Sequence, residues 1–562
     1  MNQPTPAIVT QTAVRRLPRL ALLLFCLAYV LPGFIGREPW KNADMTAFGY
    51  MAELASGASH WLHPTLLGQP PEFDALLPYW LGAWAIQLAP PWIPADFAAR
   101  IPFALLLALT LVATWYGVYY LARSPQAQPV TFAFGGEAQP TDYARAMADG
   151  GLLALIACLG LAQLSHETTP ALAQVGFTAL TFYALAAIPW RTWWPIVGLL
   201  LGTSGLALSG APAMALLFAL AGAALSLADR SPDPALRRRH RYWAGGIVLI
   251  ALGTAAMAWA LEAFRWRIGL PAGGWRDWRS LGRLLLWFTW PAWPLACWTL
   301  WRWRRQLGSR HVALPLVFVV TSVVTTLVTP SSDRSLLLGL PALAALAAFA
   351  LPTLQRSVAA LIDWFTLLFF SACALVIWVV WVAMQTGVPA KPAANVARLA
   401  PGFEPSFSLL ALVVALLATL SWAWLVRWRA GRNRAAIWKS LVLPAAGAAL
   451  CWLLLMTLWM PLLDYARGYT PLVRQVVRQI DDGGCVEIHG LSRGQVAALR
   501  YHSRLKLQPV ELKPSCPWLA VGADSLAALT AALDMRQWTL QANLHPPADA
   551  ADNVLLFKHV GP

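Results

Sequence analysis

Residues 97–121 read FAARIPFALLLALTLVATWYGVYYL. The stretch is apolar over the roughly 20 residues that cross a bilayer as a helix. Working outward, runs of the same kind occupy 17–35, 149–165, 170–188, 194–209, 211–228, 242–261, 283–301, 312–329, 335–351, 358–386, 405–427 and 439–460, thirteen in all. Composition agrees: of 562 residues 58% are hydrophobic and only 12% charged, and mean hydropathy is +0.55. A soluble domain carries about 25% charged residues, so this chain could not cover a soluble surface, and it is far too apolar for disorder. The expected class is an all-α polytopic membrane protein with about thirteen transmembrane helices.

The net charge is +16, which in a soluble protein would suggest nucleic acid. Here the arginines sit where cytoplasmic loops collect them: Arg15, Arg16 and Arg19; Arg123 and Arg145; Arg191; Arg230, Arg237, Arg238, Arg239 and Arg241; Arg302, Arg304, Arg305 and Arg310; Arg356; and Arg427, Arg429, Arg432, Arg434 and Lys439. No nucleic-acid partner is expected. No A-x-A cleavage site follows Arg19, so the first run reads as a span rather than a signal peptide. An odd number of spans places the N-terminus in the cytoplasm and the C-terminus in the periplasm of a bacterial inner membrane. The stretch 262–283 breaks the charge rule, with Arg265, Arg267, Arg276, Arg279 and Arg283 among Trp266, Trp275 and Trp278 on the outer side.

The domain reading is a membrane domain over 1–461 and a periplasmic domain over 462–562. Within the first, 36–96 is a long periplasmic loop whose stretches 44–58 and 75–88 have helical apolar spacing and read as helices in the interface plane. The tail alternates strand-like runs (CVEIHG, WLAVGA, NVLLFKHV) with helix-like ones (RGQVAALRYH, DSLAALTAALDM), the pattern of a small α/β domain. Cys485 and Cys516 would share an oxidising compartment there; a disulfide is open to them, and spacing alone does not decide it. No CxxC pair or His–Cys cluster suggests a metal. The polar insert 124–148 reads as a loop.

Ionisable residues at helix mouths are costly and therefore functional candidates. On the outer side they fall in four places: Arg37-Glu38-Pro-Trp-Lys41-Asn42-Ala-Asp44, then Glu72 and Asp74, then His166-Glu167, then Asp333-Arg334. The arginines of 262–283 join them. Carboxylates can take a proton from an acceptor hydroxyl, and arginines can grip a lipid-borne phosphate. Each group also has a structural reading. Asp44 could cap the helix after it, Asp333 and Arg334 could pair in a turn, His166-Glu167 could cap the helix at Pro170, and the arginine loop could bind lipid headgroups.

Several strings carry a resemblance: the Asp after the first span, HWLHPTLLGQPPEFDALLPYWLGAWAIQL, SHETTPALAQVGFTAL, GTSGLALSGAPAMALL, SDRSLLLGLPALAALAA and PLLDYARGYTPLVRQV. Their order over about 15–475 resembles the membrane glycosyltransferases of the GT-C fold, in particular the aminoarabinose-transferase (ArnT-like) and protein O-mannosyltransferase group. The resemblance implies transfer of a sugar, with inversion, from a polyprenyl-phosphate donor of the undecaprenyl type to a lipid (lipid A-like), glycan or protein acceptor. It implies Asp44 as catalytic base. Arg334 and the arginines Arg265, Arg267, Arg276 and Arg279 would hold the donor phosphate. Lys41, Glu72, Asp74, His166, Glu167 and Asp333 would be polar residues of the donor or acceptor site, with no metal or further cofactor. Three strings depart from the family pattern. The Glu after the catalytic Asp is Met45, Glu-Lys-Pro-Pro is Glu72-Phe73-Asp74-Ala75, and Thr-Lys-Gly is Leu208-Ser209-Gly210. Two other classes stand beside this one: a transporter or flippase of lipid-linked sugars, disfavoured because no internal repeat is visible, and a non-catalytic membrane scaffold.

Overall fold

A computed structural model describes residues 5–72, 74–228, 234–264, 275–329, 332–430, 436–480, 484–510, 515–549 and 551–560. All thirteen apolar runs are helical in whole or part. Among the described residues seven helices are long and apolar enough to cross a membrane: Ala95–Ala122, Pro170–Ala187, Arg237–Ala260, Arg310–Val328, Arg356–Thr386, Leu409–Arg429 and Ile437–Leu458. Shorter apolar helices cover Arg19–Val30, Trp193–Leu208, Pro212–Ala228 and Leu340–Thr353. Three of the runs are broken, that at 335–351 by a turn at Leu338–Gly339 between Ser332–Leu337 and Leu340–Ala350. The run 149–165 divides at Cys158, whose extended backbone separates Pro140–Ala157 from Leu159–Leu164. The run 283–301 divides into Trp275–Phe288 and Ala292–Arg302 at Pro291, a residue that can neither donate to nor fit inside a continuing helix. The insert expected as a loop becomes helical at Pro140, whose fixed φ suits a first helical turn.

The chain forms two compact units. The first comprises Met1–Pro32, Phe103–Leu375 and Val414–Leu454. Within it, Pro170–Ala187 packs on Trp193–Leu208. A Cβ on Gly202 would lie 2.4 Å from Thr181 Oγ1, and one on Gly205 would lie 2.5 Å from the Phe177 ring. Small residues at one-turn spacing allow this approach, as apolar helices without a hydrophobic drive between them require.

The second unit comprises Gly33–Pro102, Val376–Val413 and Leu455–Pro562. Segments 36–96 and 462–562 both fall in this unit. Helix Ala43–Ala55 is enclosed by protein on much of its surface. Met45, Phe48, Tyr50, Met51 and Leu54 are all buried, covered by helix Leu77–Leu88, where Gly82 meets Met51, and by helix Arg493–His502, where Gly49 meets Ala497. The tail holds a five-stranded sheet of β1 (Cys485–His489), β2 (Lys506–Pro509), β3 (Trp518–Gly522), β4 (Trp538–Leu544) and β5 (Val554–His559), in the order β2-β1-β3-β5-β4. β1 is parallel to β2 and β3, while β5 is antiparallel to β3 and β4. Helix Arg493–His502 makes the β1–β2 crossover and starts on a capping box of Ser492 and Gln495. Its core is Leu519, Val521, Leu529, Trp538 and Phe557. Cys485 and Cys516 are disulfide-bonded.

Candidate functional site

In the second unit the site is built around Asp44, in the first turn of helix Ala43–Ala55. The residue before that helix, Asn42, has φ 70°, a left-handed conformation that is strained for any residue but glycine, by about 1–3 kcal/mol. Asp44 is not the N-cap; it lies two residues further in. Its Oδ2 accepts from the Trp40 backbone N–H at 3.0 Å and meets Arg37 Nη1 at 2.9 Å, both side chains being 1% exposed. Arg37 also donates from Nε to the Gly33 carbonyl at 2.6 Å. Arg37 and the helix N-terminus together stabilise the negative charge.

The Trp40 ring has two guanidinium neighbours. The Arg37 guanidinium lies 4.5 Å from its centroid and that of Arg467 4.8 Å. Its Nε1 donates to Asp464 Oδ1 at 2.8 Å, and the other Asp464 oxygen accepts from the Glu38 backbone N–H at 3.3 Å. Thr470 donates to the Glu38 carboxylate. Arg100, 2% exposed, donates to the Arg37 carbonyl and pairs with Asp96 at 2.9 Å. The segment 37–44 is thus held from both sides by residues far away in sequence.

Burial raises the Asp464 pKa to about 6, the Trp40 bond opposing and the nearby Glu38 carboxylate adding to the rise. A carboxyl whose folded pKa lies above its unfolded value stabilises the fold below the unfolded pKa, and loses that contribution as pH climbs through the folded one. Lowering pH from 7 to 5 is therefore expected to stabilise this unit by about 1 kcal/mol. The pKa of His502, lowered by burial, acts in the opposite sense over the same window. The measurement is thus the pH dependence of the thermal midpoint in wild type against Asp464→Asn. Equal slopes in the two proteins would refute the assignment.

The other polar residues expected in this loop are tied to the tail. Lys41 Nζ pairs with Asp549 at 2.6 Å, and that pair holds the Asp549 carboxyl below its usual range. Glu72, largely exposed, pairs with Arg493 at 2.9 Å. Asp74 is half-buried. Arg500 reaches Glu53 on the far side of the Asp44 helix at 3.0 Å.

In the first unit, three elements pack together: helix Leu159–Leu164, helix Ser332–Leu337 and the amphipathic helix Trp275–Phe288. The first leads into His166 and Glu167, the second carries Arg334, and the third carries Arg276 and Arg279. Arg334 is half-buried; Arg276 and Arg279 are exposed. His166 is buried. Its Nε2 lies 3.0 Å from the Tyr29 carbonyl, Nδ1 meets the Ala162 carbonyl, and its ring packs 4.5 Å from that of Trp452. Glu167 accepts from Gln163 Nε2 at 3.2 Å. These bonds anchor the turn before Pro170. Arg265, Arg267 and the Asp333 side chain lie outside the described residues. No group of three or more His, Cys, Asp or Glu suited to a metal occurs among the described residues.

The sequence reading missed Asp464 and Arg100 as site residues. The rule that singled out Asp44 applies to both: Arg100 is a charge inside an apolar run, and Asp464 follows directly on another.

These two units of apolar helices, with a small sheet at the end of the chain, define a multi-pass membrane protein of the GT-C fold. The structure of ArnT from Cupriavidus metallidurans in the apo state is similar over 97% of this chain and 98% of that one, with a TM-score of 0.61 and 13% identity. The structure of the same protein bound to undecaprenyl phosphate is similar over 96% of each chain, with a TM-score of 0.59 and 14% identity. An Archaeoglobus fulgidus oligosaccharyltransferase tethered to an acceptor peptide matches 90% of this chain and 68% of its own, with a TM-score of 0.43 and 10% identity. No protein-family model matches the chain, and no curated protein matches it in sequence.

Proposed function

We propose that this chain is a membrane glycosyltransferase that takes a sugar from a polyprenyl-phosphate donor and passes it to an acceptor at the periplasmic face. The observation that carries the reading is the likeness of fold over nearly the whole chain, tail included, to a protein that binds undecaprenyl phosphate. Asp44 supplies the base that deprotonates the acceptor. Arg334, Arg276 and Arg279, with Arg265 and Arg267, hold the phosphate that leaves with the polyprenyl chain. Lys41, Glu72, Asp74, His166, Glu167 and Asp333 take supporting places rather than reacting ones; the pairs made by Lys41, Glu72 and His166 support this. Asn42, strained beside Asp44, supports a loop that must move for an acceptor to reach a carboxylate now 1% exposed.

A second reading has its own observation. Two side chains so completely buried and paired form a structural ion pair in many proteins, and on that reading Asp44 only shapes the loop.

The test compares envelope lipids and glycans, by mass spectrometry, in cells with and without the gene. One sugar modification is expected to disappear without it. In a purified assay Arg334→Gln is expected to lower transfer about 100-fold, the scale of losing one preorganised donor to a developing anion. Movement of labelled lipid-linked sugar with no product formed would replace the reading by transport.

A further inference from the structure

Apart from the site above, the arginines that the charge rule assigns to the cytoplasmic side divide into two groups. Some are neutralised. Arg16 pairs with Asp142 at 2.8 Å, which Arg145 approaches at 3.6 Å, and Arg429 pairs with Asp363 at 2.5 Å. Others gather, within the first unit, around the C-terminal end of helix Pro170–Ala187. Arg310 donates to the Leu185 carbonyl at 2.6 Å, and Arg239 reaches that of Ile188 at 3.5 Å. Arg191 donates from Nε to the Tyr120 hydroxyl at 3.3 Å. Arg123 lies 4.4 Å from the Trp190 ring centroid, and Trp190 is itself tied to the Tyr120 carbonyl at 3.2 Å.

The turn following this helix thus collects four guanidinium groups. The helix end offsets part of their charge, since its carbonyls carry about half a negative charge. Among the described residues no carboxylate pairs with Arg123, Arg191 or Arg239, and Arg191 and Arg239 are exposed. A guanidinium carries five N–H donors, so the single contacts of Arg191 and Arg239 leave most of theirs available. Trp190 and Tyr120 have the amphipathic rings that settle at headgroup depth.

We propose that the end of helix Pro170–Ala187 is a binding site for the headgroup phosphate of an anionic phospholipid, gripped by Arg191 and Arg239 with Arg123 and Arg310 beside them. The charge complementarity selects the occupant: a phosphodiester without a compensating cation offsets the surplus, whereas a zwitterionic headgroup brings its own ammonium. Basic pockets between helices on the cytoplasmic side are suited to such lipids. This site does not depend on the sugar-transfer reading, and its test reads no transfer.

The full chain, purified in detergent and stripped of lipid, is incubated with phosphatidylglycerol, phosphatidylcholine or inorganic phosphate. Native mass spectrometry counts retained lipid, and the thermal midpoint is followed in parallel. One phosphatidylglycerol per chain is expected to remain bound and to raise the midpoint, with neither effect from the other two. Arg191→Gln/Arg239→Gln is expected to weaken retention at least tenfold, while Arg356→Gln/Arg427→Gln leaves it unchanged. If the first variant does not fold, Arg191→Lys/Arg239→Lys is read instead; it keeps the charge but loses the paired donors, and weaker retention supports the site. Unchanged retention in the site variant, equal loss in the control variant, equal stabilisation by phosphatidylcholine, or a full effect from phosphate alone each overturns the proposal.

Discussion

Asp44→Asn is expected to have two separable effects. Transfer should fall by about 10²- to 10⁴-fold, the usual contribution of a positioned base. The fold of the second unit should also lose about 3 kcal/mol, because Arg37 is left buried without its counter-charge. Loss of activity in the single variant therefore proves nothing about chemistry. The double variant Arg37→Gln/Asp44→Asn separates the two effects, since it removes both charges and should recover a large part of the lost stability. The two side chains touch, so a coupling of about 1–3 kcal/mol is expected in a double-mutant cycle. If Asp44 is the base, the double variant is stable and inactive. If Asp44 only shapes the loop, activity returns in step with the thermal midpoint, and that outcome would remove Asp44 from the chemistry.

Cys485→Ser/Cys516→Ser should destabilise the tail by about 3–4 kcal/mol, the loop-closure value for a sequence separation of 31. The effect should not stay local. The buried Glu487 carboxylate on β1 accepts from the backbone N–H groups of Ser515 and Cys516, at 2.6 and 3.2 Å, so the two strand ends lose a covalent tie and must rely on this one group. Helix Arg493–His502, which follows β1, covers the Asp44 helix and supplies Arg500 to Glu53 and Arg493 to Glu72. A loosened tail should therefore expose the first periplasmic loop to proteolysis. Thermal unfolding and limited proteolysis of the full chain, with and without reductant, measure both. An unshifted midpoint in the serine variant would contradict the claim.

The helices of this protein were legible in the sequence because they depend on local properties. Apolar run length located the helices, and short strand-like runs picked out β1, β3 and β5 in the tail. Where the reading failed, the cause was also physical. Pro291 broke a run whose hydropathy is continuous. β2 (KLQP) is too short and polar to form an apolar run, and β4 (WTLQANL) alternates apolar with polar residues instead of running apolar, so neither stands out beside the apolar strands. The apolar face of the helix at 43–55 is visible in the sequence, but the helices that cover it, Leu77–Leu88 and Arg493–His502, are not.

Hydropathy, charge and the positions of candidate carboxylates and arginines are written residue by residue, so the chain by itself specified a polytopic helical protein and Asp44 as a candidate residue. The partners of that residue are not written there. Asp44 meets Arg37, seven residues earlier, through a strained turn at Asn42, and Asp464, some four hundred residues later, steadies the same loop through Trp40. The tertiary structure alone decided these pairings, and it alone made the first loop and the tail one unit. A buried charge takes the counter-charge or donor that the folded path brings within about 3 Å, and no local pattern records that path.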